Sequence, residues 1–377
     1  MKILHVIPHL GCGGAEILVG KIALHQKRLR HQVEIVTLHQ QDSTFEHYPD
    51  HEKLEREIPI TITPSRVKLL KRNKNEMLCD WKNILGRFSP NVIHAHLYEA
   101  DVLAHSALLP NVNYITHVHG PVFPLEKKKK IPSTKKELYE VLEKKWLHKK
   151  YRDSNTHFIA ISRATSDYTK TIIPHSLYKN IEIILNAIEL EKFPYQEQKK
   201  ISFPIKLITT GNLVAKKNHD FMIRVVKHLI DAGINCELEI LGYGVKENEL
   251  RDLTSFLGIE NKIQFRGSVG NVADYLSNAH IYLHAAIPEP FGLAILEAMA
   301  TGLPPVTIDG GGNRDFIEDG KNGFIIPEKN IMVFAERIIS LINDQELYST
   351  ISKEARATAI KFDFESYVQK VNEFYKR

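Results

Sequence analysis

Short β-branched runs alternate with amphipathic segments from the first residue almost to the last, and this alternation is the sequence form of parallel βα units. The runs fall into two series. The first lies at 2–7, 32–38, 92–95, 114–118, 156–161 and 181–185, and the second restarts at 205–210, 236–241, 262–265, 281–284, 305–308 and 324–326. Between them, 189–204 carries Pro194, Gln196, Gln198 and paired lysines and reads as a linker. Two α/β domains with parallel sheets are therefore expected over 1–188 and 205–360, and 377 residues suffice for two cores. Only helical signals follow the last run. The segment 361–377 is expected to form a helix that crosses back onto the first domain.

Composition narrows the class. With 25% charged and 43% hydrophobic residues the chain has the balance of a soluble globular protein. No apolar run approaches the roughly 20 residues of a spanning helix, and the start, Met1 to Pro8, reads as a first buried strand rather than a leader. Cys12, Cys79 and Cys236 are scattered without zinc-like spacing, which points to a reducing cytoplasm. A net charge of +5 suits an anionic partner such as a nucleotide diphosphate. Nucleic acid is not expected as a partner, because basic residues are not interleaved with aromatics in any recognisable module.

In open parallel sheets ligands bind beyond the carboxyl ends of the strands, so the loops after strands are where chemistry belongs. The first such loop reads Gly11-Cys12-Gly13-Gly14-Ala15-Glu16 and leads into a helix. Its amides suit an anion, although a tight turn explains the glycines equally well. A dinucleotide fingerprint would need glycine where Glu16 stands. After 205–210, Gly211 and Asn212 precede Lys217, a point cation for a phosphate or else an ordinary surface lysine. The segment 289–304 carries the strongest signal. Pro290 forces Glu289 out of helical geometry, so a helix is expected to begin near Phe291, with Glu297 almost two turns inside it. The amides of Phe291, Gly292 and Leu293 can then take a phosphate while the two carboxylates accept hydroxyls at either end of a nucleotide sugar. Finally, His94-Ala95-His96 and His117-Val118-His119 each end a strand of the first half. Either pair shares a sheet face and could chelate a metal, but carboxylate and cysteine ligands are missing nearby and no Asp-x-Asp triplet occurs, so no metal is expected. His119 is better read as a ligand contact, with His94 and His117 satisfied in the core.

Taken in order, the glycine loop with Ala15-Glu16, the segment from Thr116 to His119-Gly120, Ile159-Ala160-Ile161-Ser162, the Gly-x-Leu-x-x-x-Lys loop from Gly211 to Lys217, Leu241-Gly242-Tyr243-Gly244 and the Glu-x7-Glu segment from Glu289 to Glu297 resemble the retaining glycosyltransferases of family 4. The resemblance spans nearly the whole chain. It implies the GT-B fold, two facing Rossmann-like domains with an interdomain cleft. It also implies a UDP- or GDP-sugar donor as substrate, retention of anomeric configuration, and no metal or other cofactor. Carried over position by position, Glu289 would contact hydroxyls of the transferred sugar, Glu297 the ribose, Lys217 the diphosphate and His119 the donor sugar near the reacting carbon. Gly13, Gly14, Gly211, Asn212, Phe291, Gly292 and Leu293 would complete the donor site, with Gly14 as its floor. Asn212 stands where the family usually has arginine, and Ala187 follows Asn186 where it has glycine. Losing that arginine removes a bidentate phosphate donor.

The implied function is transfer of a hexose to a glycan or lipid-linked acceptor in cell-surface polysaccharide biosynthesis. Rival readings are a sugar-nucleotide epimerase or hydrolase of the same fold and a nonenzymatic nucleotide-sugar-binding protein. Lys127 to Lys130 and the basic helix behind them, 135–151, suit an anionic membrane face, giving a peripheral position on its inner side, or else a plain solvated surface.

Overall fold

The computed structural model describes residues 1–11, 13–40, 50–63, 74–121, 134–197 and 200–377. The lysine run at 127–130, Cys12 and Gln198 lie outside the described residues. The chain divides into two compact units, Met1–Leu185 with Glu365–Arg377, and Asn186–Phe364.

The first unit is built on β1 (Lys2–Ile7), β2 (Gln32–Thr37), β3 (Ile60–Ile62), β4 (Val92–His96), β5 (Asn113–Val118), β6 (His157–Ala160) and β7 (Ile181–Ile183), in the sheet order β3-β2-β1-β4-β5-β6-β7. Every pairing is parallel. The edge strand β3 has no counterpart in the sequence reading, because three residues are too few to show a period. Strands covered on both faces should read as continuous apolar runs, and β1 and β4 are buried almost throughout. Yet His5, His94, His96 and His117 occupy buried positions in this sheet.

The second unit holds β8 (Ile205–Thr210), β9 (Cys236–Leu241), β10 (Ile263–Gly267), β11 (Ile281–His284), β12 (Pro305–Ile308) and β13 (Phe324–Ile326), ordered β10-β9-β8-β11-β12-β13 and again wholly parallel. Ile205, Leu207, Leu238, Ile281, Leu283 and Val306 meet helix residues Val226 and Ile338 in one continuous core. Burying each such side chain contributes about 1.5–3 kcal/mol. Here the centre of the sheet is apolar, unlike that of the first unit. Part of the segment read as a linker packs within this unit, where Gln196 N–H donates to Thr301 O (3.2 Å) and Arg356 donates to Phe193 O (3.1 Å).

The last helix, Phe364–Phe374, packs on the first unit. Gln26 donates to Asn372 Oδ1 (2.9 Å), Asn113 donates to the Tyr375 carbonyl (2.7 Å), and Arg377 pairs with Glu182 (2.7 Å). In each sheet the strand order reverses at one place, between β1 and β4 and between β8 and β11. Ligands of open α/β sheets bind just beyond the strand ends at such a switch point.

Candidate active site

At the switch point of the second sheet, β8 runs into Gly211–Val214 and a short 3-10 turn, Ala215–Lys217, while β11 runs into a bent loop that carries Glu289. Two bonds staple these loops together: Ile287 N–H donates to Lys216 O (2.9 Å), and Asn218 Nδ2 donates to Ala285 O (2.8 Å). Lys217 Nζ then donates to Glu289 Oε2 at 2.7 Å, and His284 Nε2 lies 2.9 Å from the same oxygen. Behind them the Tyr282 hydroxyl stands 3.1 Å from Thr210 Oγ1 and 3.5 Å from His284 Nδ1.

Glu289 is only 6% exposed. Burial alone would raise its carboxyl, but the hydrogen bond from His284 and the Lys217 charge outweigh that and hold it well below the usual carboxylate range. Burial lowers His284 despite the neighbouring carboxylate. Near pH 7 the imidazole therefore acts as a neutral N–H donor, and Lys217 supplies the positive charge. Both partners use Oε2, and Oε1 has no hydrogen bond among the described residues. A buried, ionised carboxylate with one oxygen held and the other open is built to accept a hydroxyl hydrogen.

Glu289 also has its backbone clamped. Its N–H donates to Gly310 O and its carbonyl accepts from Gly312 N–H, both at 2.9 Å. A Cβ on Gly312 would lie 2.0 Å from the Pro290 carbonyl oxygen, so the loop after β12 can approach only without side chains. Gly310-Gly311-Gly312 and His284 join the site although the sequence motifs do not single them out. Three successive glycines after a strand were the available signal for the first; a single histidine on a core strand gave none for the second.

The helix after Glu289 starts later than Phe291. It runs Leu293–Ala300 with Gly292 as N-cap at φ 105°, and no side chain caps it. Left-handed backbone at Gly292 delays the first turn by two residues. Glu297 is therefore the fifth helical residue, one turn inside and about 6 Å past Leu293 at 1.5 Å per residue. It is half-buried, and its charge together with that of Glu289 helps raise the buried Tyr282 hydroxyl, whose main cause is burial. Phe291 packs against Phe316 and Phe362, so only its backbone is offered to a ligand. Asn212 is exposed, and Gly211 lies 3.7 Å from the Lys217 stem at the point where its Cβ would stand.

At the switch point of the first sheet five imidazoles share one face. Register pairs His5 with His94 and His96 with His117, and alternation puts His94 with His96 and His117 with His119. His5 Nδ1 lies 3.1 Å from His96 Nε2, His96 Nδ1 lies 3.1 Å from His119 Nε2, and His94 Nε2 lies 3.2 Å from His117 Nδ1. Burial holds all of them below the ordinary imidazole value, His5 at about 4 and His119 at about 3, so they are uncharged at pH 7. His119 keeps some exposure. In the glycine loop, Gly13 caps the helix Gly14–Arg28 with no side-chain bond, and the Glu16 carboxylate folds over it, 2.1 Å from where a Cβ would stand. That helix start faces a carboxylate of its own chain. Gly14 is exposed, with open space around it.

The family described as Glycosyltransferase Family 4 matches residues 12–192, and that described as Glycosyl transferases group 1 matches residues 191–358. An uncharacterized glycosyltransferase of Haemophilus influenzae is 29% identical over 164 residues, 43% of this chain and 46% of that protein. The N-acetylgalactosamine-N,N'-diacetylbacillosaminyl-diphospho-undecaprenol 4-alpha-N-acetylgalactosaminyltransferase of Campylobacter jejuni is 28% identical over 187 residues, 49% of this chain and 50% of that protein. The chain thus spans about half the length of the curated relatives it matches. The crystal structure of Anabaena HepE with UDP and glucose superposes with a TM-score of 0.77 at 18% identity, covering 99% of this chain and 98% of that one. Two glycosyltransferase signatures meet end to end along the sequence on two parallel-sheet α/β domains, and the chain belongs to the GT-B glycosyltransferases of the family 4 and group 1 type.

Proposed function

We propose that this protein transfers a sugar, with retention and without a metal, from a nucleotide-diphosphate sugar held by its second unit to a glycan or lipid-linked acceptor. The observation that carries the reading is the buried Glu289 carboxylate, ionised by Lys217 and His284 and open at Oε1. Breaking the bond between sugar and diphosphate leaves positive charge on the ring and negative charge on the leaving group, so both ends need preorganised partners. An ammonium has three N–H donors. One of those on Lys217 goes to Glu289, and the others suit the departing phosphate beside the uncapped start of the helix Leu293–Ala300. Oε1 of Glu289 accepts from the transferred sugar, and Glu297 accepts from the ribose. The departing phosphate serves as base toward the acceptor on the same face of the ring.

HepE, the relative crystallised with UDP and glucose, favours a UDP-sugar, and the undecaprenol-linked acceptor named for the Campylobacter enzyme favours a lipid-linked glycan. Leu138, Tyr139 and Leu142 are exposed on the basic helix Lys135–Asp153, an apolar strip suited to a lipid surface. No helix among the described residues is long and apolar enough to cross a membrane. The test is incubation with labelled UDP-, GDP- and ADP-sugars and lipid-linked acceptors. The expected product keeps the donor's anomeric configuration in the presence of a chelator; an inverted product, a chelator-sensitive reaction, or free epimerised sugar nucleotide contradicts the reading.

A further inference from the structure

The five histidines of the first sheet form two hydrogen-bonded chains that start from one side-chain amide. Tyr375, which follows the last helix, brings its hydroxyl to 2.5 Å from His94 Nδ1. The Tyr375 oxygen is already an acceptor, from the Gln26 amide, so its own O–H is the group left to donate and His94 Nδ1 is the acceptor. Gln26 Nε2 stands 3.3 Å from that oxygen and also donates to Asn372 Oδ1 (2.9 Å). With its nitrogen so engaged, Gln26 turns Oε1 toward His5 Nε2 at 2.8 Å. An amide oxygen only accepts, and His5 must carry its proton on Nε2.

Each uncharged ring has one N–H and one lone pair, so the assignment propagates. His5 Nδ1 accepts from His96 Nε2–H, and His96 Nδ1 accepts from His119 Nε2–H. On the other branch His94, accepting at Nδ1, donates from Nε2 to His117 Nδ1. His117 Nε2 is then an N–H left over, and it is indeed a buried nitrogen without a partner among the described residues. Nearby nitrogens of His5, His94 and His96, and of His96, His117 and His119, resemble metal-ligand triads. The bonding leaves neither triad three lone pairs to give. Among the described residues one acceptor of the five rings is unused, His119 Nδ1.

We propose that Gln26, oriented by Asn372 and Tyr375, is a positioning residue that fixes His5, His96 and His119 as Nε2–H tautomers, while the Tyr375 hydroxyl fixes His94 and His117 the same way, so that His119 presents a bare Nδ1 that accepts from a ligand hydroxyl. Such a nitrogen repels a phosphate oxygen and accepts a sugar hydroxyl hydrogen. The contact with the donor sugar rests on the proposed function; the tautomers do not.

The experiment is two-bond proton–nitrogen correlation NMR on the full chain labelled with 15N-histidine at pH 7.5, the five rings being assigned by single substitutions. The wild type is expected to show all five protonated on Nε2. Tyr375→Phe should leave His5, His96 and His119 unchanged while His94 and His117 begin to exchange tautomers; Gln26→Met should release His5, His96 and His119. A proton on Nδ1 of His96 or His119 in the wild type overturns the proposal without any variant having to fold, and so does a Gln26→Met protein with wild-type tautomers. In kinetics, Gln26→Met should lower kcat/KM about tenfold, and no further once His119→Ala is present. Five Nε2–H tautomers in a protein that transfers no sugar would uphold the relay and refute the proposed function.

Discussion

The two switch points differ in kind. In the first sheet the strand ends carry uncharged groups, five imidazoles tied to an amide and a phenol, whereas in the second they carry an ammonium and a carboxylate held together by a histidine. The same crevice geometry thus receives two chemistries. A diphosphate calls for fixed charge, which the second unit holds in Lys217; a hydroxyl calls for a neutral acceptor, which the first unit holds in His119 Nδ1. Desolvation enforces the contrast, since a buried histidine sheds its proton while a buried carboxylate keeps its charge only when a cation stands beside it.

The comparison is broken most forcefully at the charged end. Lys217→Ala and Glu289→Ala are each expected to reduce turnover 10²- to 10³-fold, about 2.7–4 kcal/mol in the transition state, judged from the removal of single preorganised donors elsewhere. Steady-state kinetics with near-normal turnover in either variant would remove the site.

Acid should separate the two units next. His5 titrates near 6.5 when unfolded and at about 4 when folded, so the unfolded chain binds the extra proton in between. Stability is complete above pH 6.5 and falls as pH drops toward 4, by about 3 kcal/mol for this residue alone at about 1.4 kcal/mol per pH unit. His94, His96, His117 and His119 are shifted the same way, against His219 and His284 in the second unit. Glu289 acts over a lower window: its folded value is depressed, so its contribution is present above the unfolded carboxylate value near 4.5 and is lost as pH falls below it. Hydrogen exchange at pH 7.5 and 5.5 should therefore show β1, β4 and β5 losing protection before β8 and β11; the reverse order contradicts the assignment of neutral rings. The smallest effect is expected on the surface. Leu142→Glu, at an exposed helix position, should change stability by no more than about 0.5 kcal/mol while weakening sedimentation with anionic vesicles, and unchanged sedimentation would dismiss the membrane face.

The sheets were legible because βα alternation is local: five of the six strands of the second unit fall where their runs lie, and β10 shifts by one residue at its start and two at its end. The strand β3 was not, being three residues at an edge. Glu289 was legible through Pro290, whereas the delayed helix start was not, since a glycine in the sequence does not disclose the positive φ that Gly292 adopts in the fold. The histidines show how far spacing reaches. His94-x-His96 and His117-x-His119 announce a shared face within each strand, but uniting them with His5 and Gln26 requires the order β1-β4-β5 and a helix from the far end of the chain. Tertiary topology, not local pattern, makes that network.

The central claim is that Glu289 reads the sugar while Lys217 reads the phosphates. Calorimetric titration with UDP and with the UDP-sugar that stabilises the protein most tests it directly. Glu289→Gln is expected to weaken the UDP-sugar at least tenfold, about 1.4 kcal/mol, and to leave UDP binding unchanged, while Lys217→Ala weakens both. Equal loss of UDP and UDP-sugar in Glu289→Gln, or no loss of either, would contradict the account.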